Sequence, residues 1–439
     1  MVPGGYMGVA VAARDPRVIA VATVNRSRPG DTVWRSADAG QTWRELARDS
    51  VRDVSATPFL DFDGKADFGH WIAGLAIDPF DADHAAYVTG ATVYATDDFA
   101  AARAMRWAPW TRGIEQTAII TLVSPTGGAP LVSGFGDLGG FRHDDLTRSP
   151  PHVHRNPMLT NTNSLDYAGI APQVMVRSGN THKPVVPDTS LAWSADGGAT
   201  WQPLRVPAQT GESGAPSRAQ TGNAAITVSA DGTTFVVETE QPLLTRDRGR
   251  SWVAVRGLPT RTRVTADKAN AQLFYAVDAD GGRVLRSDDG GARFHAVAGV
   301  GLPADLSGAR AVGREAANPL VAVPGRAGAL WLLVGPDLYR STDRGEHWTR
   351  ASQEIAITRF GIGKAAPGAA WPALYAIGAV GEQRGIYRSI DGGARWTHIN
   401  DARHQWGLRL RVISGDPRRF GRVYVGTDGR GIMYGDPVR

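Results

Sequence analysis

The chain of 439 residues contains no cysteine, which rules out disulfides and thiolate metal sites. The same absence leaves the compartment undecided, because exported bacterial proteins also do without cysteine. Lysine is scarce: of 48 basic residues only Lys65, Lys183, Lys268 and Lys364 are lysines, and the arginines form no dense run. A nucleic-acid surface needs a clustered basic patch, so the pattern reads as compositional bias. No run reaches the roughly 18 uninterrupted apolar residues of a membrane span. The opening MVPGGYMGVAVAARDPRVIAVATV has no basic leader, and Arg14, Asp15 and Arg17 interrupt it, so neither a signal peptide nor a span is expected there. Neither nucleic acid nor membrane is therefore an expected partner. Gly-x-Ser-x-Gly, a glycine-rich phosphate loop and zinc-ligand spacing are all missing. His152 and His154 form a His-x-His pair in SPPHVHRNP, but no third ligand is near in sequence. A surface loop is expected there, and neither a metal nor a cofactor is.

Long apolar helical patterns are absent as well. The chain instead has 53 Gly, 27 Pro and 42% hydrophobic residues. That is enough apolar material for a sizeable core, and it predicts many short strands joined by turns, an all-β chain.

A repeat organises it. VWRSADAGQTW ends at Trp43, AWSADGGATW at Trp201, LLTRDRGRSW at Trp252, VLRSDDGGARF at Phe294, LYRSTDRGEHW at Trp348 and IYRSIDGGARW at Trp396. The shared pattern is Ser/Thr-x-Asp-x-Gly-x-x-aromatic after a short apolar strand. It is the chemistry of a hairpin turn: the carboxylate accepts backbone N–H groups of the turn it starts, and the glycine supplies a positive φ. The aromatic ring covers the turn. Asp38, Asp196, Asp247, Asp289, Asp343 and Asp391 are therefore expected to be structural. The repeat resembles the Asp-box, or BNR, repeat of β-propellers.

Upstream of several boxes lie strand, Asp-Pro turn, strand units, as in LAIDPFDADHAAYVTG and VISGDPRRFGRVYVGT. Box and unit together make about four strands, the size of a propeller blade. Equivalent strands are expected near residues 34, 94, 142, 193, 244, 285, 339, 387 and 432. Seven steps run from 94 to 432, which predicts a seven-bladed β-propeller over residues 67–439. Residues 1–66 are left as partial blade material of an incomplete second, N-terminal propeller. Such a blade cannot bury both faces of its sheet alone, which suggests the C-terminal part of something larger.

Narrower motifs point to one family. WIAGLAIDPFDADHAAYVTGATVYATDD from Trp71, GIEQTAI from Gly113, GDLGGFRHDDL from Gly136, NSLDYA from Asn163 and GDPRRFGRVYVGTDGRGIMYGDP from Gly415 occur in that order. In this the chain resembles the C-terminal half of glycoside hydrolase family 74, the xyloglucan-active endoglucanases and oligoxyloglucan-releasing enzymes. The resemblance implies two facing propellers with xyloglucan or a related β-glucan between them. It implies inverting hydrolysis of a β-1,4-glucan backbone, and a family that is usually secreted or periplasmic.

The family's general acid is the aspartate of its Gly-Asp-x-Gly-Gly-Phe motif, which maps onto Asp137. The surrounding residues suit that role on two counts. Flanking Gly136, Gly139 and Gly140 would let a sugar chain approach the backbone. Beside apolar Phe135 and Leu138 the carboxyl is expected to titrate high, as an acid working near neutral pH requires. Asp144 and Asp145 sit in a degenerate box position and are expected in a turn. Arg142 and His143 are candidates for orienting a carboxylate or a sugar hydroxyl. The family's general base, in an Arg-Thr-Asp-x-Gly-Gly motif, has no match here, so the isolated chain is expected to be inactive or weak.

Five of the 13 tryptophans complete boxes. Sugar rings pack on indole faces, and Trp107, Trp110 and Trp406, in apparent loop segments, are the expected platforms. Trp34 and Trp193 precede boxes and are expected in the core. Two other readings compete with the hydrolase: a non-catalytic carbohydrate-binding propeller, and a protein-interaction propeller of the sortilin or assembly-factor kind.

Overall fold

The computed structural model describes the chain except residues 1–3, 27–29, 62–67, 113–116, 182–189, 208, 211–215, 218–220, 312–317, 405–408 and 438–439. Among the described residues the regular structure is strands and three short 3-10 turns, with no α-helix. The chain forms two compact units, Met1–Thr117 and Ala118–Arg439.

The smaller unit holds two sheets. The first runs in chain order through Gly5–Val11, Ile19–Val24, Val33–Ser36 and Arg44–Glu45. The second contains Gly74–Ile77, Ala85–Val88, Val93–Thr96 and Met105–Pro109, and Ser50–Arg52 adds to its edge in parallel with Met105–Pro109. That added strand ties residues on either side of position 66 together. The Arg44 guanidinium does the same, donating to the carbonyls of Ala102 at 2.6 Å and Ala101 at 2.7 Å. The boundary expected after residue 66 thus lies inside this unit. Its core is aromatic: Phe68 stacks on Tyr87, and Trp107 meets Phe68, Tyr87 and Phe99 edge-on.

The larger unit has seven sheets of three or four antiparallel strands, and a two-stranded ribbon between the second and third. The first sheet is Ile119–Val123, Leu131–Phe135 and Gly140–His143; the second is Asn161–Tyr167, Met175–Asn180, Leu191–Ser194 and Gln202–Leu204. The other five span residues 226–254, 264–296, 320–350, 356–398 and 410–435. Every expected third strand is present. The seven steps counted from 94 to 432 connect eight strands, and the one near 94 belongs to the smaller unit. The seventh sheet returns to the first: Leu410–Gly415 packs on Ile119–Val123 and Ala118 bridges Asp428. Arg418 also donates to the carbonyl of Gly128 at 2.8 Å. Sheets flanked on both faces bury whole strands, as in Leu131–Phe135 and Phe235–Val237. Each fully buried Val, Leu or Phe there contributes about 1.5–3 kcal/mol.

The six boxes share one geometry. In each, the Ser or Thr hydroxyl donates to the Asp carboxylate at 2.7–2.9 Å and accepts the box glycine N–H at 2.8–3.0 Å. The carboxylate also accepts backbone N–H groups further along, such as Thr200 at 2.8 Å and Arg395 at 3.0 Å. The backbone is left-handed at two successive residues, and the first of the two need not be glycine: Ala39, Arg248 and Arg344 adopt φ of 58°, 60° and 65°. The carboxylate's grip on the turn is what holds those residues there.

Strand order then sorts the turns. The sheets of the larger unit are consecutive antiparallel meanders, so turns after the first and third strands lie at one end of each sheet. Turns after the second strand, and arrivals at each first strand, lie at the other. All boxes follow third strands. Asp137 follows a second strand, so it lies at the opposite end.

Candidate functional site

Phe135 and Leu138 point into the core of the first sheet, at 5% and 2% exposure, while Asp137 between them is exposed. The turn is tight. Phe135 N–H donates to Gly139 O at 3.0 Å, Leu138 N–H to Gly136 O at 2.8 Å and Gly140 N–H to Leu138 O at 2.9 Å. It is tied outward by Gly136 N–H to Ala118 O at 2.9 Å and Gly139 N–H to Thr160 O at 2.8 Å. Asp137 has a left-handed backbone, φ 64°. Its own N–H goes to a side chain, Asn161 Oδ1, at 2.8 Å.

Two of the three glycines, Gly139 and Gly140, do a different job from the one expected. A Cβ on Gly139 would lie 2.5 Å from the Leu159 carbonyl oxygen, and one on Gly140 would lie 2.2 Å from that of Ser133. Protein backbone therefore fills the space beside both, and they permit close strand approach rather than sugar approach. The carboxyl is also not in an apolar pocket: Phe135 and Leu138 turn away from it.

Arg142 and His143 are not brought to Asp137. They lie on the strand that leads away from it, paired with Val132 and Leu131, towards the box end. Arg142 reaches Asp144 at 2.8 Å. His143 Nε2 lies 2.7 Å from Ser133 Oγ, and burial pulls its pKa down to about 4, so it is a neutral hydrogen-bonding ring at neutral pH. Asp145 accepts the N–H and hydroxyl of Thr147 at 2.8 and 2.6 Å, a box-like turn.

The aromatic expectations divide. Trp107 lies in a regular strand, not a loop, and is fully buried, so it is core and not a platform. Trp110 is 58% exposed, with its ring edge-on to His84 at 5.6 Å. Trp406 lies outside the described residues, as does most of GIEQTAI. Trp193 is buried, with Arg248 stacked over it at 4.2 Å, and Trp34 is half-buried. His152 is exposed but His154 is buried, its Nδ1 accepting the Trp201 indole N–H at 3.2 Å, so the two do not share a surface loop. Among the described residues no group of three or more His, Cys, Asp or Glu could hold a metal.

Two features escaped the sequence. In the smaller unit Trp71 is 61% exposed with a left-handed backbone, φ 56°, and donates its N–H to buried Asp31 at 2.7 Å. An exposed indole on a left-handed backbone, whose main-chain N–H a buried carboxylate accepts, is an outlier of the kind that gathers at ligand sites. In the larger unit a row of asparagines, Asn161, Asn180, Asn163 and Asn223, runs from the Asp137 turn across the second sheet to the start of the third. The signal was the alternation in NTNSL, which sets amides two residues apart on one strand.

Closed repetition of four-stranded sheets with Asp-box turns defines a β-propeller protein. No family model matches the chain. A xyloglucanase of Paenibacillus sp is 37% identical over 468 residues, covering 99% of this chain and 43% of the relative. A probable oligoxyloglucan-reducing end-specific xyloglucanase of Neosartorya fischeri is 34% identical, covering 99% of this chain and 59% of the relative. The crystal structure of the glycoside hydrolase family 74 xyloglucanase from Xanthomonas campestris matches with a TM-score of 0.84 at 37% identity, over 100% of this chain and 60% of that one. Along nearly its whole length the chain is similar to xyloglucanases, including one of glycoside hydrolase family 74, and it spans about half the length of the curated relatives it matches.

Proposed function

We propose that the chain is the acid-bearing portion of an inverting xyloglucan hydrolase, with Asp137 as general acid. The observation that carries this is the position of Asp137. It is the aspartate of GDLGGF, exposed on a braced left-handed turn, at the end of the sheets opposite the structural box aspartates. Held there, a protonated carboxyl can deliver its proton to the glycosidic oxygen of a glucan lying across the turn as the C–O bond breaks. Inversion needs a second carboxylate on the far side of the sugar, roughly 6.5–9.5 Å away, to deprotonate the attacking water. This chain has no counterpart of the family's base motif, so the base belongs to the part of the relatives that the chain does not span. Residues 118–439 would form one seven-bladed propeller. Residues 1–117 would supply two blades of another. The first strand of the smaller unit supports the need for a companion: Tyr6, Met7, Val9 and Val11 are 71%, 63%, 66% and 52% exposed, an apolar edge of the kind a neighbouring blade covers.

Xyloglucan is the proposed substrate because two relatives of 37% and 34% identity are xyloglucanases by name. Exposed Trp71 and Trp110 favour contact with sugar rings, and they keep the binding-only propeller as the second reading. Affinity electrophoresis on xyloglucan, run beside reducing-sugar assays of the chain alone and co-expressed with the non-overlapping portion of the Paenibacillus relative, separates the two. The expected result is retarded migration, little turnover alone and hydrolysis after complementation. Retardation with no turnover in either preparation favours the binding module, and no retardation removes both.

A further inference from the structure

Asp137 is an unfavourable residue for a left-handed backbone, even though aspartate tolerates that region better than most. Such a conformation persists only where its surroundings over-determine it. The other N–H groups of the turn, those of Gly136, Leu138, Gly139 and Gly140, are answered by backbone carbonyls. That of Asp137 is answered by the Asn161 side chain, from the neighbouring sheet. The residue carrying the carboxyl is thus the one whose posture depends on a replaceable group.

Asn161 is itself braced, and the direction of its amide is fixed. With Oδ1 accepting from Asp137, its Nδ2 faces Asn180 Oδ1 at 3.5 Å. Asn180 Oδ1 also accepts Asn163 Nδ2 at 2.7 Å, and Asn180 Nδ2 donates to Asn223 Oδ1 at 3.2 Å. Asn163 sits beneath at 7% exposure, and its Nδ2 also reaches the Gly222 carbonyl at 2.7 Å. Turning that amide over would set oxygen against two oxygens, so its orientation follows from the network. Donors therefore all point away from Asp137, from its N–H to Asn161, then Asn180, then Asn223. Hydrogen bonds aligned in one sense polarise and strengthen one another.

We propose that Asn161 is a positioning residue for Asp137, and that the asparagine row makes the segment Thr221–Asn223 a working part of the same site. The proposal rests on Asp137 being the general acid. The row does not touch the reacting atoms. It holds the Asp137 backbone so that the carboxyl projects from the turn in one orientation, and it carries any shift of the 221–223 turn back to it. An acid displaced by about an ångström can lose as much as 100-fold in rate.

The test compares Asn161→Ala, Asn161→Asp and Asn180→Ala with the parent chain by amide hydrogen exchange at Asp137. Hydrolysis is followed in the complemented preparation. Asn161→Ala should speed exchange of the Asp137 amide by about tenfold or more, as expected when a local brace is lost, and lower kcat with KM little changed. Asn161→Asp keeps an acceptor for that N–H, so it should restore protection. It should also move the alkaline limb of the pH profile upward, because a second carboxylate faces the first and keeps the acid protonated to higher pH. Asn180→Ala should give a smaller effect of the same sign. Unchanged exchange at Asp137 in Asn161→Ala overturns the positioning role, whatever the activity does. Faster exchange with an unchanged kcat, in a preparation that Asp137→Asn inactivates, overturns it too. If Asp137→Asn leaves hydrolysis intact, the failure lies with the general acid, and the exchange result still decides whether the brace exists.

Discussion

The two ends of the sheets in the larger unit use the same residue for opposite purposes. At the box end, each aspartate turns its carboxylate inward on its own loop, where a hydroxyl and successive N–H groups consume it. At the other end, Asp137 is exposed and is gripped by its backbone N–H. The regularity of the first arrangement is a sign of structure: five turns in this unit, one pattern, nothing left over for a ligand. The second arrangement departs from that pattern. A repeat protein can change one turn at that end without disturbing the others, because each sheet answers mainly to its neighbours.

The sharpest way to break the comparison is to replace one aspartate of each kind and read rate and stability together. Asn tolerates the left-handed region as Asp does, so Asp137→Asn should fold normally and shift the urea midpoint little. Hydrolysis in the complemented preparation should fall by about 10²–10⁴-fold, the usual worth of a positioned proton donor. Asp196→Ala should do the reverse. It removes the acceptor of Ser194 and Thr200, costing about 1–3 kcal/mol of stability with sugar affinity unchanged. A stable Asp196 variant beside an unfolded Asp137 variant would invert the assignment of the two ends.

A smaller effect sharpens the comparison within one sheet. Arg142 belongs to the same hairpin as Asp137 but faces Asp144 near the box end. Its partner is well exposed, so Arg142→Ala should cost no more than about 1 kcal/mol. Hydrolysis should be unaffected. A marked drop in kcat for this variant would mean that the strand carries its influence back to the acid turn.

Much of this was open to inspection in the sequence, for a physical reason. Box turns are local: hydroxyl, carboxylate, glycine and ring lie within eight residues, so their pattern predicts both the turn and the strand before it. All nine third strands are where the boxes and their degenerate copies put them. Grouping of sheets is not local. Ser50–Arg52 joins a strand more than fifty residues later, and no motif announces that pairing, so the smaller unit extends to residue 117 and not to 66. The same limit governs the aromatics. Trp107 and Trp110 share the segment MRWAPW, yet one ends the burial pattern of a strand and the other stands just beyond it. Proline at position 109 looked like a loop and is the last residue of an edge-side strand. NTNSL sets Asn161 and Asn163 two residues apart, but the role of Asn161 depends on a contact with the neighbouring sheet that no local pattern announces.

The smallest expected effect is on acid stability, to which the box end should contribute. Hydrogen bonds from Thr42 and Ser36 hold the Asp38 pKa at about 2, and those from Ser251 and Thr245 hold Asp247 at about 2. In Asp196, Asp289, Asp343 and Asp391 burial pushes the pKa up, but hydrogen bonds outweigh it and each ends below the usual carboxylate value. A carboxyl with a depressed folded pKa binds fewer protons folded than unfolded. Its contribution is complete above the unfolded value near 4 and is lost as pH falls towards 2. Glu238 has the opposite sign: burial, only partly offset by Arg263, raises its folded pKa, so its contribution fades as pH rises. The depressed carboxyls, these six and others such as Asp15, Asp231 and Asp436, outweigh the one raised group. The urea midpoint should therefore be nearly level from pH 7 to 5 and drop steeply between about pH 4 and 2. Asp247→Asn removes one of the six, so it should lower the plateau and flatten the drop. A midpoint curve for Asp247→Asn parallel to the parent's through that window would show that the box hydrogen bonds do not favour the ionised carboxylate, and the contrast with Asp137 would lose its electrostatic basis.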